Sequence, residues 1–359
     1  MLECWDRKTR GYVAIKIVRA VQKYRDAAMI ELEVLATLEA NDPASRFHCV
    51  SLREWFDYRG HVCMVFERLG PSLYDFLRKN AYRPFPADLV RAFGRQLLEA
   101  TAYMHSLALV HTDLKPENVL LASGDYDRPP PDGPRAPARV PKRSEVRVID
   151  FGSATFDDAH HSAVVSTRHY RAPEVILGLG WSYPADLWSA GCILVELATG
   201  DALFQTHENL EHVAMMEAVL GPVPPPLAAG ATGAAAKLFD AAGRLDWPAG
   251  ASSRRSVRAV AKVSPLPAQL AALADASLAP HAANLADLVA RMLTYDAASR
   301  ITAAEALAHP FFGDPLARDP PTPAAGVESV ADVEGDEGVL VGAGAASARA
   351  ERHGSTGGG

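Results

Sequence analysis

Cysteine is scarce in this sequence of 359 residues, and none of its four cysteines form a Cys-x-x-Cys pair. They are scattered at Cys4, Cys49, Cys63 and Cys192, which favours free thiols in a reducing compartment over a disulfide framework. No apolar run approaches the ~18 residues of a membrane span. Charged residues among the first eight positions argue against a signal peptide. We therefore expect no membrane contact and a cytosolic or nuclear location.

An excess of positive charge is also absent. The net charge is −7, and the segment 313–359 contributes −5 of it through eight acids against three arginines. The remaining body, at −2, argues against a general nucleic-acid-binding surface, so we expect no direct nucleic-acid partner. The chain length predicts two lobes or domains with a substantial core. Beyond residue 312 the composition shifts to Gly, Ala, Pro and acids, which predicts a disordered tail over 313–359.

The most informative stretch runs from Val110 to Leu121 and contains the pattern His-x-Asp-Leu-x-x-x-Asn. Asp113 can accept a proton, Lys115 carries positive charge, and Asn118 offers a carbonyl to a metal. Apolar residues on both sides are expected to hold this polar loop at the edge of a core. A short strand further on ends in Asp-Phe-Gly, where Asp150 supplies a second oxygen ligand of the kind that Mg²⁺ prefers.

Two charged residues near the start have both an ordinary and a functional interpretation. Lys16 lies in a predicted β-branched strand and is either an edge-strand lysine or a phosphate-binding lysine. Glu31 lies on a predicted helix and is either solvated or paired with Lys16. Downstream, Glu174 in an Ala-Pro-Glu run has Arg300 as a candidate ion-pair partner, unless Arg300 is a surface residue.

In this order the motifs resemble those of the eukaryotic protein-kinase superfamily, over residues 1 to about 312. The resemblance implies an α+β, bilobal fold with a small, mostly antiparallel β lobe over 1–69 and a larger, mostly helical lobe over 70–312. It implies ATP and Mg²⁺ as cofactors. Catalytic roles fall on Asp113, Lys115 and Asn118, and metal binding falls on Asn118 and Asp150. The implied nucleotide contacts are Lys16, Glu31, Ala14, Phe66, Glu67, Leu69, Leu120 and Asp150.

A narrower resemblance comes from residues 211–217, which read Glu-His-Val-Ala-Met-Met-Glu. This run is similar to the E-H-L-A-M-M-E-R signature of LAMMER (CLK-type) kinases of the CMGC group, with departures at Val213 and Ala218. Runs at 67–77, 165–171 and 244–248 also resemble that family, and the first is closest to its plant-type branch. A family insert is implied near 206–283. An ordinary amphipathic helix with two core methionines is the alternative, and a DYRK-like branch would need a Tyr-x-Tyr pair that 156–162 lacks.

The LAMMER resemblance implies a dual-specificity, monomeric enzyme that phosphorylates Ser/Thr and autophosphorylates on Tyr. Its implied substrates are Arg/Ser-rich splicing factors, which places it in the nucleus, with the cytoplasm left open as a second location. The resemblance places Thr167 where Ser/Thr kinases have a threonine against the catalytic aspartate, here Asp113, and this favours Ser/Thr substrates. Arginine-rich substrates need nearby acids, and Glu117, Asp157 and Asp158 are the candidates.

Position 112 is Thr where most kinases carry the Arg that receives an activation-segment phosphate. We therefore expect activity that does not depend on phosphorylation of that segment.

No Gly-x-Gly-x-x-Gly precedes Lys16, and by alignment to the family pattern Met1 falls just after that loop. We expect a truncated β lobe with an exposed sheet edge. One explanation is a fragment or a start-site error, which the intact later residues favour. The other is a genuine short form, catalytically weak or inactive, that serves as a binding or docking module. An active kinase would lose turnover with Asp113→Asn, whereas a module would bind Arg-Ser peptides without turnover and independently of Lys16.

Overall fold

Four antiparallel strands form the N-terminal sheet in the order β1–β2–β4–β3. They are β1 (Leu2–Asp6), β2 (Gly11–Ile17), β3 (Leu52–Tyr58) and β4 (His61–Glu67). The β-branched residues of β2 and β4 suit a sheet that is half-buried. Helix α1 (Gln22–Asn41) follows β2 and buries Ala28, Leu32 and Leu35 in the core. This arrangement brings β2 and α1, the elements that carry Lys16 and Glu31, side by side.

The computed structural model describes residues 1–130, 137–159, 162–273 and 281–313, all within one compact unit. The predicted tail lies outside the described residues apart from Gly313. Strand β1 forms one edge of the sheet, and Leu2 and Trp5 on it are exposed. Among the described residues, no helix has both the length and the apolar character to cross a membrane.

Helices dominate the chain after residue 70, around the buried pair α3 (Ala87–Ser106) and α5 (Pro184–Thr199). Trp188 in α5 and Phe93 in α3 are among the largest fully buried side chains. The other helices are α2 (Leu73–Lys79), α4 (Pro173–Leu177), α6 (Asn209–Leu220), α7 (Pro225–Gly230), α8 (Arg254–Val260), α9 (Leu266–Ala271), α10 (Ala282–Met292) and α11 (Ala303–Leu307). The predicted α+β class, with a β-rich first part and a helical second part, is confirmed.

In the described part of the chain, six short strands lie between residues 109 and 156 and form three pairs. They are β5 (Leu109–Val110), β6 (Val119–Leu121), β7 (Tyr126–Asp127), β8 (Val140–Pro141), β9 (Val146–Val148) and β10 (Thr155–Phe156), paired as β5–β10, β6–β9 and β7–β8. The polar loop of residues 111–118 therefore lies between two strands that are each paired to the chain around Asp150. Paired strands hold both ends of the loop, as the apolar flanks predicted.

Two segments are more regular than the sequence indicated. The stretch 124–143 is rich in Pro, Asp and Arg, which predicts a flexible loop, but β7 and β8 form a small hairpin in it, with the Arg139 guanidinium 4.9 Å from the centre of the Tyr126 ring. Residues 131–136 lie outside the described residues. The weakly periodic stretch 221–283 contains α7, α8 and α9, because proline and serine start these short helices where apolar periodicity is too brief to show.

Candidate active site

The loop that carries Asp113 is anchored from below by a single buried carboxylate. Asp186, in the first turn of α5, accepts hydrogen bonds from the backbone amides of His111 at 2.8 Å and Thr112 at 2.9 Å. The His111 ring also contacts the carbonyl of Ile149 at 3.1 Å, just before Asp150. These contacts hold the loop and the Asp-Phe-Gly turn in a fixed relation to α5.

Asp113 is surrounded by donors that hold its carboxylate in place. The backbone amide and the hydroxyl of Thr167 donate to Oδ1 at 2.8 Å and 2.7 Å. The Lys115 ammonium donates to Oδ2 at 2.6 Å and to the Thr167 hydroxyl at 3.0 Å. Two residues predicted to act together, Asp113 and Lys115, are thus in direct contact, and Thr167 completes the cluster from the activation segment 153–171.

Lys16 joins the N-terminal sheet to α1 and to the Asp-Phe-Gly turn. Its ammonium lies 2.6 Å from a carboxylate oxygen of Glu31 and 3.0 Å from Oδ1 of Asp150. Burial acts to lower the pKa of Lys16, but the carboxylates of Glu31 and Asp150 outweigh it, and the net pKa is raised. Burial likewise acts to raise the pKa of Asp150, yet the nearby Lys16 ammonium lowers it overall. Both groups therefore carry charge at neutral pH, as a phosphate- and metal-binding pair requires.

Asn118 and Asp150 present a donor set that fits a hard divalent cation. The Asn118 amide nitrogen donates to the carbonyl of Asp113 at 2.9 Å, which leaves the amide oxygen as the atom free to accept. Asp150 holds a left-handed backbone conformation, with φ of 64°, which Asp tolerates better than most residues. No cluster of three His, Cys, Asp or Glu side chains able to hold a metal occurs in the described part of the chain. Two oxygen ligands suit a cation that is bound jointly with a nucleotide.

The remaining predicted nucleotide contacts lie along the join between the sheet and the helical part. Ala14 on β2 pairs directly with Phe66 on β4, and Glu67 ends the same strand. The join itself is tight, because the amide of Gly70 donates to the carbonyl of Leu121 at 2.7 Å. A Cβ at Gly70 would lie 2.6 Å from the carbonyl carbon of Ser123, so only glycine fits there. Leu69 precedes this glycine and Leu120 lies on β6, so this set borders the same join.

The profile of the protein kinase domain matches residues 1–312. This chain belongs to the protein kinase family. The serine/threonine-protein kinase AFC1 of Arabidopsis thaliana is 56% identical over 321 residues, which cover 87% of this chain and 68% of that protein. The dual specificity protein kinase CLK4 of Homo sapiens is 46% identical, over 87% of this chain and 63% of that protein. The crystal structure of the kinase domain of PF14_0431 superposes with a TM-score of 0.78 at 36% identity, covering 86% of this chain and 90% of that one.

These relatives place the kinase in the LAMMER branch of the CMGC group, and the predicted family resemblance is confirmed. A dual specificity protein kinase of Schizosaccharomyces pombe, lkh1, is also similar, with 46% identity over 88% of this chain and 45% of that protein. The chain is therefore a protein kinase domain, a fold that uses ATP and a divalent cation.

The family signature helix of this kinase, α6, is mostly a packing element. Met215 and Met216 are buried, as the ordinary alternative proposed, and His212 is fully buried with no hydrogen-bond partner for either ring nitrogen among the described residues. Burial, reinforced by nearby arginines, lowers the pKa of His212 to about 3, so the ring is neutral. Glu211 has a positioning role, because it accepts from the Thr206 hydroxyl at 2.9 Å and fixes the loop before α6.

The predicted ion pair in the helical part forms at full burial. Arg300 donates to both carboxylate oxygens of Glu174, at 2.7 Å and 2.8 Å. The same guanidinium also donates to the carbonyls of Pro184 at 2.7 Å and Thr294 at 2.9 Å. The surface alternative for Arg300 is therefore wrong, and the pair ties the end of the activation segment to α5 and α10.

An open groove is lined by residues of the Asp113 loop, α5, the segment 200–208, α6 and α8. Of the three acids proposed for arginine recognition, only Glu117 lines it. Asp157 instead accepts a hydrogen bond from the Ser182 hydroxyl at 2.6 Å, which ties the activation segment to the start of α5. Asp158 also lies apart from the groove lining. Glu196, which lines the groove from α5, could not be predicted from the sequence, because it lies within an apolar helix and belongs to no motif.

Proposed function

We propose that this kinase transfers the γ-phosphate of Mg²⁺-bound ATP to Ser/Thr residues of Arg/Ser-rich proteins. Splicing factors are the proposed substrates, which makes pre-mRNA splicing the process it regulates and the nucleus its location. The observation that supports an arginine-directed enzyme best is the pair of carboxylates, Glu117 and Glu196, in the groove beside the Asp113 loop. The family resemblance alone supports the splicing role and the location.

The residues of this chain divide the work of phosphoryl transfer between positioning and charge. Lys16, fixed by Glu31, would neutralise phosphate oxygens, and Asn118 with Asp150 would hold Mg²⁺. Bound Mg²⁺ supplies neutralisation of the charge on the transferred group. Asp113 would orient the substrate hydroxyl and accept its proton.

Relatives named dual specificity protein kinases support the further proposal that this kinase also phosphorylates its own tyrosines. We propose that it acts as a monomer, and that its contacts are with protein substrates rather than nucleic acid.

The groove beside the Asp113 loop contains two carboxylates that an arginine of the substrate can pair with. The Tyr170 hydroxyl donates to Oε2 of Glu196 at 2.7 Å, and Tyr170 is only three residues from Thr167 at the Asp113 cluster. Oε2 of Glu117 is buried and has no hydrogen-bond partner among the described residues. Burial raises the pKa of Glu196 to about 7, and the nearby Glu117 adds to that effect, while the bond from Tyr170 opposes it. A guanidinium, which is a planar cation with five donors, matches two such carboxylates.

The arginine preference should depend on pH through Glu196. Because its pKa is raised, this carboxyl is largely neutral below about pH 7 and gains charge as the pH rises through that value. We expect KM for an Arg-Ser peptide to fall several-fold across this range in the wild type. In Glu196→Gln the KM should be higher and its pH profile flat. Steady-state kinetics at constant ionic strength measure both.

A Lys-Ser peptide provides the matched control, because lysine lacks the planar fork of donors. Glu196→Gln should narrow the preference for arginine over lysine while leaving kcat close to that of the wild type. Asp240→Asn, the acid-to-amide change at a half-buried residue outside the groove, should change neither value. An unchanged arginine preference in Glu196→Gln would show that Glu196 has no part in substrate recognition.

Phosphorylation of the activation segment should not be required for activity. Thr112 is buried and its hydroxyl donates to the carbonyl of Ser153 at 2.8 Å, so no guanidinium is available there for a phosphate. Arg171 instead holds the segment by donating to the carbonyls of Val165 at 2.8 Å and Ser166 at 2.7 Å. We expect phosphatase treatment of the purified full-length enzyme to leave its initial rate within about twofold, since these contacts involve no phosphate. Abolished activity after this treatment would contradict the prediction.

A further inference from the structure

The groove that contains Glu117 and Glu196 extends far beyond the reach of one arginine. It has a volume of about 1430 Å³, whereas pockets for small molecules span about 300–1,000 Å³. It runs from the Asp113 loop past the segment 200–208 and the start of α6 to α8. This size fits several residues of an extended peptide rather than a single side chain.

The lining of the groove carries charge of both signs. Near the Asp113 loop the lining carboxylates are those of Glu117, Glu196 and Asp201. We call Arg255, Arg258 and Lys262, which line the groove on and just after α8, the basic stripe, and Glu208 and Glu211 lie beside it. Charge of both signs in one groove predicts an occupant that also carries both signs.

The basic stripe is formed by α8 and the turn that follows it. Arg255 and Arg258 lie one turn apart on α8, Lys262 lies two residues past its end, and Val260 is buried. Across the described residues, none of these three side chains makes an ion pair or a hydrogen bond to a carboxylate. Glu208, beside the stripe, accepts hydrogen bonds from the hydroxyls of Ser252 at 2.7 Å and Ser256 at 3.5 Å. Three cations, two on α8 and one just after it, are therefore available to an anion.

We propose that the basic stripe binds phosphoserines of a substrate that this kinase has already partly phosphorylated, while Glu117 and Glu196 hold an arginine of the same segment. A phosphate offers three acceptor oxygens and close to two negative charges, which matches clustered Arg and Lys. The inference rests on the proposed arginine-directed function and adds that the enzyme prefers its own product as the next substrate.

Other occupants match the groove less well. An unphosphorylated Arg-Ser segment would leave the three cations of the basic stripe unpaired. A polyanion such as RNA would bring its phosphates against five lining carboxylates, which are Glu117, Glu196, Asp201, Glu208 and Glu211. Juxtaposed like charges in a groove suppress binding. A segment with alternating guanidinium and phosphate groups brings a cation to the lining carboxylates and a phosphate to the basic stripe.

The test compares peptides that differ only in prior phosphorylation. One Arg-Ser peptide has an acceptor serine and no phosphoserine. Two others add a phosphoserine, one on the N-terminal side of the acceptor serine and the other on its C-terminal side. For the wild type, we expect KM for one of the phosphorylated peptides to be about tenfold lower than for the unphosphorylated peptide, because each phosphate adds charge-assisted hydrogen bonds. The variant Arg255→Ala/Arg258→Ala/Lys262→Ala should lose this ratio and keep kcat and KM for the unphosphorylated peptide.

Arg254→Ala is the matched control, because Arg254 is exposed on the same helix but does not line the groove. It should keep the tenfold ratio. Fluorescence anisotropy with the phosphorylated peptides gives a binding measurement that is independent of turnover, and thermal unfolding checks that the triple variant is folded. A ratio of one in the wild type, or an unchanged ratio in the folded triple variant, would overturn the inference.

Two further outcomes are informative. If a single-stranded RNA binds the wild type more tightly than the phosphopeptides and the triple variant loses that binding, the stripe is an RNA site and the inference is wrong. The ratio can be read on any serine peptide that the enzyme accepts. If the wild type shows no preference for arginine over lysine, the proposed substrate class is refuted. The KM ratio between phosphorylated and unphosphorylated peptides then tests the phosphoserine site by itself.

Discussion

Replacing Asp113 with Asn is expected to lower kcat by about 10²–10⁴-fold, the usual contribution of a positioned general base. Asn has nearly the same shape, so its carbonyl can still accept from Thr167, but it cannot take up the hydroxyl proton. It also loses the charge that draws Lys115 to within 2.6 Å. The measurement is the initial rate of phosphate incorporation into an Arg-Ser peptide with Mg²⁺ and ATP at saturation.

The matched control is Asp127→Asn, which makes the same chemical change on an exposed strand of the β7–β8 hairpin. It should leave kcat unchanged. Nucleotide affinity of Asp113→Asn, measured by titration, should remain close to that of the wild type, because Lys16, Asn118 and Asp150 are intact. If the wild type binds Arg-Ser peptides without turnover and Asp113→Asn behaves identically, the chain is a binding module and not an active kinase.

Replacing Arg300 with Ala is expected to destabilise the fold by about 3–5 kcal/mol, the usual cost of removing one partner from a buried ion pair. The side chains of Arg300 and Glu174 are 0% and 4% exposed, so the Glu174 carboxylate would be left charged and without water. The substitution also removes the bonds to the carbonyls of Pro184 and Thr294. Equilibrium unfolding in denaturant measures the loss, and a variant too unstable to purify would show it as a lost soluble fraction.

Two variants separate the buried pair from charge in general. Glu174→Gln/Arg300→Met removes both charges at similar volume and should recover part of the loss, because no lone ion remains buried. Arg244→Ala breaks the exposed pair with Asp240, whose arginine is 80% exposed, and should cost less than about 1 kcal/mol. An equal loss in Arg244→Ala and Arg300→Ala would contradict the assignment of the effect to burial.

The sequence predicted well those contacts that depend on a fixed motif. Lys16 and Glu31 form an ion pair, and Asp113, Lys115 and Thr167 form one cluster, because each residue belongs to a short pattern whose spacing is set by the chemistry of phosphate transfer. The Glu174–Arg300 pair was also proposed, although 126 residues separate its members. The order of the motifs along the chain was enough to predict this tertiary contact.

Contacts outside any motif could not be predicted in this way. Asp157 and Asp158 were chosen as arginine ligands because they are acids near the active site in sequence, yet Asp157 bonds to Ser182. Glu196 was passed over because it lies in an apolar helix, where a glutamate has no distinguishing pattern. The hairpin within 124–143 was missed because its two-residue strands are too short for alternation to be visible.

The sequence alone therefore determined the class of enzyme, the α+β fold and the residues of the phosphate-transfer loop, since those are encoded in local order and spacing. The tertiary structure alone decided which charged side chains line one groove. The groove is assembled from the Asp113 loop, α5, the segment before α6 and α8, which are up to about 150 residues apart in the chain. Its carboxylates and its basic stripe come together only because folding brings these distant residues to one groove, and no local sequence pattern predicts that contact.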